Sequence, residues 1–412
     1  MIGRRKNRRT ARLLAVVLAL APMAIASPGA DAPRFLKCEG KNIVDQDGKP
    51  LLLKGFGPGE WFNIEAYMIQ WPDKDVGGYG ATKIRNKLIE LMGKENAEEF
   101  YRRWEQNIVN EADVQQWARW GANSVRLPFN SKSLSSADGM YIEAGFQRLD
   151  QVIDWCKKNK IYVILDMHAA PGAQNNELMS DSPDGNARLW SEGSKYQPWA
   201  IHLWQKIAER YANEPAVAGY NIFDEPILPP GHTVDKDLRP FYVEVTKAIR
   251  QADKNHILFF DGSKWSQDFT GLDTPWDTNM VYCPHKYWDK NDQASIQKYL
   301  DLRDKTNRPI WNAETGENTN QWLKEMARLC ERNNIGWSLW TYKKVHSARQ
   351  PYTINRPPNY EAILKYVAGS GPKPSQPEAT AIMLDLADNA ATSKCVLNRA
   401  AIEALFGSNV AQ

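Results

Sequence analysis

Tyr162-Val163-Ile164-Leu165-Asp166-Met167-His168 is a short apolar run that ends on polar residues, and its surroundings decide the fold. Helical periodicity precedes it over 146–159 and returns over 198–212, and a second apolar run, 217–223, follows. The same alternation extends both ways. Further strand candidates are 52–57, 124–129, 257–261, 280–283, 309–313 and 336–340, and helix patterns occupy 238–252, 293–304 and 321–333. Repeated strand-helix units imply parallel strands joined by right-handed crossovers. Eight of them fit an α/β fold of the closed (β/α)8 TIM-barrel type better than an open doubly wound sheet. No Gly-x-Gly-x-x-Gly turn follows the first strand, which counts against a dinucleotide-binding fold. The barrel carries three predicted additions. Residues 43–53 alternate around Asp47-Gly48 as an N-terminal β-hairpin, residues from about 60 to 121 form a long first βα connection, and a short helical tail closes the chain.

The amino terminus reads as a signal peptide over 1–26. Six basic residues (Arg4, Arg5, Lys6, Arg8, Arg9 and Arg12) precede the apolar run 13–21, and Ala24-Ile25-Ala26 supplies a small-x-small cleavage site. An uncleaved membrane anchor is the alternative. The run is too short to span a bilayer comfortably, so the mature chain is expected to be secreted or periplasmic, with no stable membrane insertion. Those six groups distort the charge balance: 52 Lys and Arg less six leaves 46, against 49 acidic residues, a net of −3. A mildly acidic chain has no electrostatic footprint for nucleic acid. Five cysteines without a Cys-x-x-Cys spacing argue against zinc. Cys156 and Cys330 read as small apolar groups. A bridge between Cys38 and Cys395 is chemically open to an exported chain, though free thiols are the favoured reading. The expected organisation is a barrel domain over 27–368, a Gly- and Pro-rich linker over 369–377 and a helical tail over 378–412. The chain is expected to act as a monomer.

Polar residues at the C-terminal ends of barrel strands line the active site. Reading those ends gives Arg126, His168, Asp224 with Glu225, His285 with Tyr287, Glu314, and Trp340. One acidic strand end is an ordinary surface feature, but recurrence at nearly every strand is not. Two carboxylic acids on separate strands suit cleavage of an acetal, which needs a proton donor for the leaving oxygen and a carboxylate at the anomeric centre. Arg126 beside Glu314 would keep that carboxylate ionised. His285 and Tyr287, two apart on an extended segment, share a side. Trp340 offers a flat floor for a sugar ring. A metal-dependent hydrolase is disfavoured because His168 and His285 lie on different strands, so no metal and no cofactor are expected.

These residues sit in runs that resemble a known family. They are 122–128 (Ala-Asn-Ser-Val-Arg-Leu-Pro), 165–175 (Leu-Asp-Met-His-Ala-Ala-Pro-Gly-Ala-Gln-Asn), 219–226 (Gly-Tyr-Asn-Ile-Phe-Asp-Glu-Pro), 285–287 (His-Lys-Tyr), 312–314 (Asn-Ala-Glu) and 337–340 (Trp-Ser-Leu-Trp). They resemble glycoside hydrolase family 5, the cellulase family of retaining (β/α)8 enzymes. The resemblance implies Glu225 as acid/base, Glu314 as nucleophile, Arg126 and Tyr287 around that nucleophile, and His168, His285 and Trp340 in the sugar subsite. Residues 59–68 and 171–175 are similar to the exo-β-1,3-glucanase branch, where the acid aligned with Glu65 binds the terminal sugar. The expected substrate is therefore a β-glucan or β-glucoside. Alternatives are a β-mannanase, a glucosyl-lipid hydrolase, or a barrel that binds carbohydrate without cleaving it. One position departs from the family pattern: Asp224 stands where the family has Asn. Either Glu225 then titrates higher than usual or Asp224 itself holds a proton.

Overall fold

Parallel strands in a barrel are covered on both faces, by helices outside and by packed side chains within, so their sequences read as nearly continuous apolar runs. Eight strand positions behave this way in the computed structural model. They are β1 (Lys54–Gly57), β2 (Ser124–Asn130), β3 (Tyr162–Ala169), β4 (Val217–Asn221), β5 (Ile257–Asp261), β6 (Met280–Cys283), β7 (Trp311–Gly316) and β8 (Gly336–Trp340). β6 resumes after Pro284 as the short strand His285–Lys286. All pair in parallel, in the order β6-β5-β4-β3-β2-β1-β8-β7. The ring closes where Tyr282 bridges Ile310 and His285 pairs with Glu314. The expected (β/α)8 barrel is the observed fold.

Residues 1–3, 33–59, 61–72, 80–136 and 139–408 are described. The chain divides into Met1–Ala32 and Pro33–Gln412, and every element of the barrel belongs to the second unit. Residues 4–26 of the expected signal segment, its cleavage site included, and Glu60 lie outside the described residues.

Strand alternation separates two cores. Val163, Leu165 and Met167 on β3 point outward into the helix-facing core, while Ile164 belongs to a smaller cluster inside the barrel with Ala218, Phe259, Val281 and Trp311. Leu36 and Ile43, from the segment before the barrel, plug that inner cluster from the N-terminal side. The hairpin differs in detail from expectation. Lys37–Glu39 pairs antiparallel with Asn42–Val44, and only Val44 and Pro50 bridge across the Asp47-Gly48 turn. Strand ends also shift. β7 begins two residues late because Pro309 has no N–H to donate to a ladder.

The first βα connection contains the helices Ala81–Met92, Lys94–Ile108 and Glu111–Trp120. The tail packs on it. Helix Gln376–Asn389 starts inside the segment expected as linker, capped by Ser375 and Glu378. Its far end is tied down by Arg103 to Asp388 and Asn107 to the Ala387 carbonyl, both at 2.9 Å. Phe406, from the last helix Arg399–Phe406, meets Phe56 and Trp337 at ring-centroid distances of 5.6 and 5.3 Å. A fully buried ion pair joins these parts: Lys343 reaches Asp113 at 3.2 Å and the Ala390 carbonyl at 3.1 Å. Among the described residues no disulfide is formed. The Cys38 thiol faces the Met280 carbonyl and the Cys395 thiol faces that of Asn389, so no bridge joins them.

Candidate active site

The alternation that points Ile164, Phe259 and Val281 into the barrel also points Asp166, His168, Asp261 and His285 inward, one or two pairs further along the same strands. The barrel interior is therefore apolar below and charged at its C-terminal end. Three register slips refine the pattern, one of them between β2 and β3 at Phe129 and Asn130. The β7–β8 register slips by one residue between Asn312 and Thr315, and the β3–β4 register slips next to Val163. An extra residue re-aims the side chains that follow it. Glu314 thus turns inward although Ala313 already does.

Arg126 is the hub, fully buried. Its Nε donates to Asn221 Oδ1 at 2.7 Å, Nη1 to Glu314 Oε1, and Nη2 to Asp224 Oδ1 at 2.9 Å. Asp166 Oδ1 forms a less directed ion pair with Nη2 at 3.2 Å. His168 donates from Nδ1 to Asp166 at 2.8 Å and from Nε2 to Glu65 at 3.2 Å. Its ring stacks on Trp340, with centroids 4.7 Å apart and planes 16° from parallel. Trp340 lies so close to the end of β1 and the turn after it that a Cβ at Gly57 or Gly59 would meet it at 2.8 or 2.6 Å. Glycine there admits the indole. Trp340 Nε1 donates to the Tyr67 hydroxyl at 2.9 Å.

His285 faces both glutamates. Its Nδ1 donates to Glu225 Oε1 at 2.7 Å and lies 3.5 Å from Glu314 Oε2. The Tyr287 hydroxyl donates to the same Glu314 oxygen at 3.0 Å. Glu225 follows β4 in a left-handed backbone conformation, φ 39°. That conformation is costly for glutamate and persists only where neighbours enforce it. Here Gln174 donates to the Asp224 carbonyl and Asn175 to the Glu225 carbonyl, both at 2.8 Å. This gives the 171–175 run a physical role: it holds the acidic pair from behind.

The site buries six carboxyl groups (Glu65, Asp166, Asp224, Glu225, Asp261 and Glu314) against three cationic groups (Arg126, His168 and His285). Burial pulls both histidine pKa values down, but the surrounding carboxylates outweigh it and lift both well above the usual range. Burial pushes Glu314 up, yet His285, Arg126, His168 and the Tyr287 hydroxyl hold it below the ordinary carboxylate range. Asp224 goes the other way. Burial, reinforced by Glu314 and Glu225 against the pull of His168 and Arg126, raises it well above that range. Burial also raises Glu65, with His168 opposing. Of the two readings of Asp224, its holding a proton is the one these surroundings favour. Asp166, His168 and Asp224, or Asp224, His285 and Glu314, lie close enough to share a cation. Arg126 already occupies the space among those carboxylates.

A cleft of about 610 Å³ opens above these groups, lined among others by Glu65, His168, Asp224, Glu225, Glu314 and Trp340. Every residue expected from the sequence comes together here: Arg126, His285 and the cleft-lining Tyr287 complete the set. Sequence reasoning missed several others. Asp261 ends β5 as the other site residues end their strands, and the same rule applied to that strand would have found it. Asp166 and Asn221 lie within the quoted motifs without having been assigned a part. Trp265 and Trp288, 46% and 71% exposed, stand at the rim on loops and carry no periodic signal.

Comparison with known proteins agrees with this geometry. The cellulase family (glycosyl hydrolase family 5) matches residues 83–345. A beta-xylosidase of Phanerodontia chrysosporium is 29% identical over 350 residues, covering 76% of this chain and 71% of that protein. A probable glucan 1,3-beta-glucosidase A of Aspergillus clavatus is 24% identical over 257 residues, 62% of this chain, which spans 60% of that protein's length. Among solved structures, an endogalactoceramidase superposes with a TM-score of 0.58 at 19% identity, covering 85% of this chain and 84% of the other. A Saccharophagus degradans beta-glucanase gives 0.52 at 15% identity, with coverages of 86% and 94%. These likenesses show the fold. With the family match running over more than half of the chain, on a barrel whose strand ends gather two glutamates around one histidine, the protein belongs to glycosyl hydrolase family 5 and is an O-glycosyl hydrolase.

Proposed function

We propose that the chain is an exported, retaining β-glycosidase that attacks β-glucosidic linkages by double displacement, with Glu314 as nucleophile and Glu225 as acid/base. The observation that carries the reading is the position of His285 Nδ1, 2.7 Å from a Glu225 oxygen and 3.5 Å from a Glu314 oxygen. Both glutamates thus meet one imidazole nitrogen, an arrangement that suits the roughly 5–5.5 Å separation of a retaining pair. Glu314, held ionised by His285 and Arg126, attacks the anomeric carbon while Glu225 gives its proton to the leaving oxygen. Water then enters as Glu225 takes a proton back, and the sugar leaves Glu314 with β configuration restored. A protonated Asp224 supplies the hydrogen-bond donor that the family Asn would otherwise present to the sugar 2-hydroxyl. Trp340 is the floor for the bound ring, and Glu65, buried beside His168, binds hydroxyls of a terminal sugar. Trp265 and Trp288 offer flat faces to the rest of the chain.

Similarity to a glucan 1,3-beta-glucosidase supports a glucan substrate attacked from its end. Similarity to a beta-xylosidase supports a second reading, a β-xyloside. The basic, apolar and small-residue signature of residues 1–26 supports export. Among the described residues no helix is long and apolar enough to cross a membrane. Product analysis with laminarin, carboxymethyl cellulose, mannan, and aryl β-glucoside and β-xyloside decides the sugar. Free glucose released early supports the proposal. A rapid fall in viscosity with little free sugar opposes end-wise action, and xylose alone supports the second reading.

A further inference from the structure

Asp261 ends β5, is fully buried, and takes no direct part in the double displacement. Four groups converge on it. Asn221 donates to Oδ1 at 2.8 Å, and the Ser266 hydroxyl and the Glu225 backbone N–H donate to Oδ2 at 2.7 and 3.2 Å. His285 Nε2 lies 3.1 Å from Oδ2, with its N–H off the line to the oxygen, so this contact is an ion pair rather than a directed hydrogen bond. The opposite nitrogen of the same ring faces Glu225 and Glu314. We propose that Asp261 is a positioning residue: it holds His285 charged and turned onto both glutamates, and it pins the left-handed backbone of Glu225. The proposal rests on the double-displacement reading of the site.

The groups facing His285 come from three neighbouring elements. They are Glu225 from the loop after β4, Asp261 from β5 and Glu314 from β7, while Arg126 from β2 reaches Glu314. Tyr287, on the segment that carries His285, also touches Glu314. Burial disfavours the charged ring, and the carboxylates reverse that balance. Burial likewise raises Asp261, yet the His285 charge, with Arg126 and Asn221, holds it below its usual range. The two groups keep each other ionised.

Replacing Asp261 by Asn keeps the shape and removes the charge. The new amide can donate to Nε2, which leaves the ring neutral with its proton on Nδ1. Glu314 then loses a cation 3.5 Å from its carboxylate and takes up a proton more readily. Since the nucleophile must be ionised in the free enzyme, the acid limb of kcat/KM moves up in pH. Slackened positioning lowers kcat by roughly 10- to 100-fold. KM changes little, because Asp261 does not reach the cleft.

The test is the pH dependence of kcat/KM for wild type and Asp261→Asn on an activated aryl β-glucoside. It is joined by nitrogen NMR of the His285 ring in the intact wild-type protein, assigned against His285→Gln. The proposal expects an upward shift of the acid limb in the variant and a doubly protonated His285 ring at pH 7. A loss of kcat with an unmoved acid limb would make Asp261 merely structural and overturn it. So would a neutral His285 ring at pH 7, a result obtained whether or not the variant folds. The underlying reading is checked separately by azide rescue of Glu225→Ala. Failure there removes the double displacement without touching the NMR result.

Discussion

Asp224→Asn isolates one proton. In the unfolded chain an aspartate titrates near ~3.9. In the fold, burial, with Glu314 and Glu225 adding to it and His168 and Arg126 opposing, raises the Asp224 carboxyl well above its usual range. Between those two values the folded protein holds a proton that the unfolded chain has released. Stability is therefore fullest at low pH and falls as pH rises, by up to about 1.4 kcal/mol per pH unit for this single group. Asparagine keeps the shape and cannot titrate. The stability difference, variant minus wild type, should be flat below about pH 4 and then climb with that slope until wild-type Asp224 ionises in the fold. Urea midpoints at half-unit intervals from pH 4 to 8 measure it. Activity gives a matching signature. Where Asp224 is protonated both side chains donate, so kcat/KM should be similar, and on the alkaline side the variant should outlast the wild type. Parallel stability curves from pH 4 to 8 would refute the assignment of a proton to Asp224.

Tyr287→Phe removes a donor to Glu314, a hydrogen bond to a charged group worth roughly 1.5–3 kcal/mol. It should lower kcat/KM about 10- to 150-fold and raise the acid limb, since Tyr287 helps hold Glu314 low; an unmoved limb contradicts this. Trp288→Ala removes an exposed ring at the cleft rim, and aromatic contacts of this kind are worth about 0.5–1.5 kcal/mol. Its loss on β-glucan chains should exceed its loss on β-glucosyl fluoride, which has no second sugar; equal losses would remove Trp288 from substrate binding. Lys343→Met strands buried Asp113 without its cation, and breaking such a pair costs about 3–5 kcal/mol. A large fall in the urea midpoint is expected, and an unchanged midpoint would show that the tail is not anchored through this pair.

The barrel was legible because its strands are covered on both faces and alternate with helices. All eight expected strands form, with ends that match expectation or move by one to three residues. The site was legible for a related reason. A barrel gathers its strand ends at one mouth, so Arg126, His168, Glu225, His285 and Glu314 needed no knowledge of distance. Asp261 escaped because its strand end was passed over, although it obeys the same rule. Trp265 and Trp288 escaped for a deeper reason: they sit on loops whose course depends on tertiary contacts, such as the bond from Trp265 Nε1 to Glu177 at 3.1 Å. The tail was harder still. Its Gly- and Pro-rich entry reads as a linker, while the burial of Ile382, Met383 and Leu386 depends on helices almost 300 residues earlier.

The central claim is that Glu314 becomes covalently bonded to the sugar during turnover. A 2-deoxy-2-fluoro-β-glucoside with a good leaving group slows release of such an intermediate more than its formation, so the adduct accumulates. Mass spectrometry of the trapped protein, followed by peptide mapping, reads the attachment site directly. The account predicts one fluoroglucosyl group per chain, on the peptide that carries Glu314, with turnover restored as the adduct is released. A label on any other residue, or an α-configured first product from an unlabelled enzyme, would contradict it.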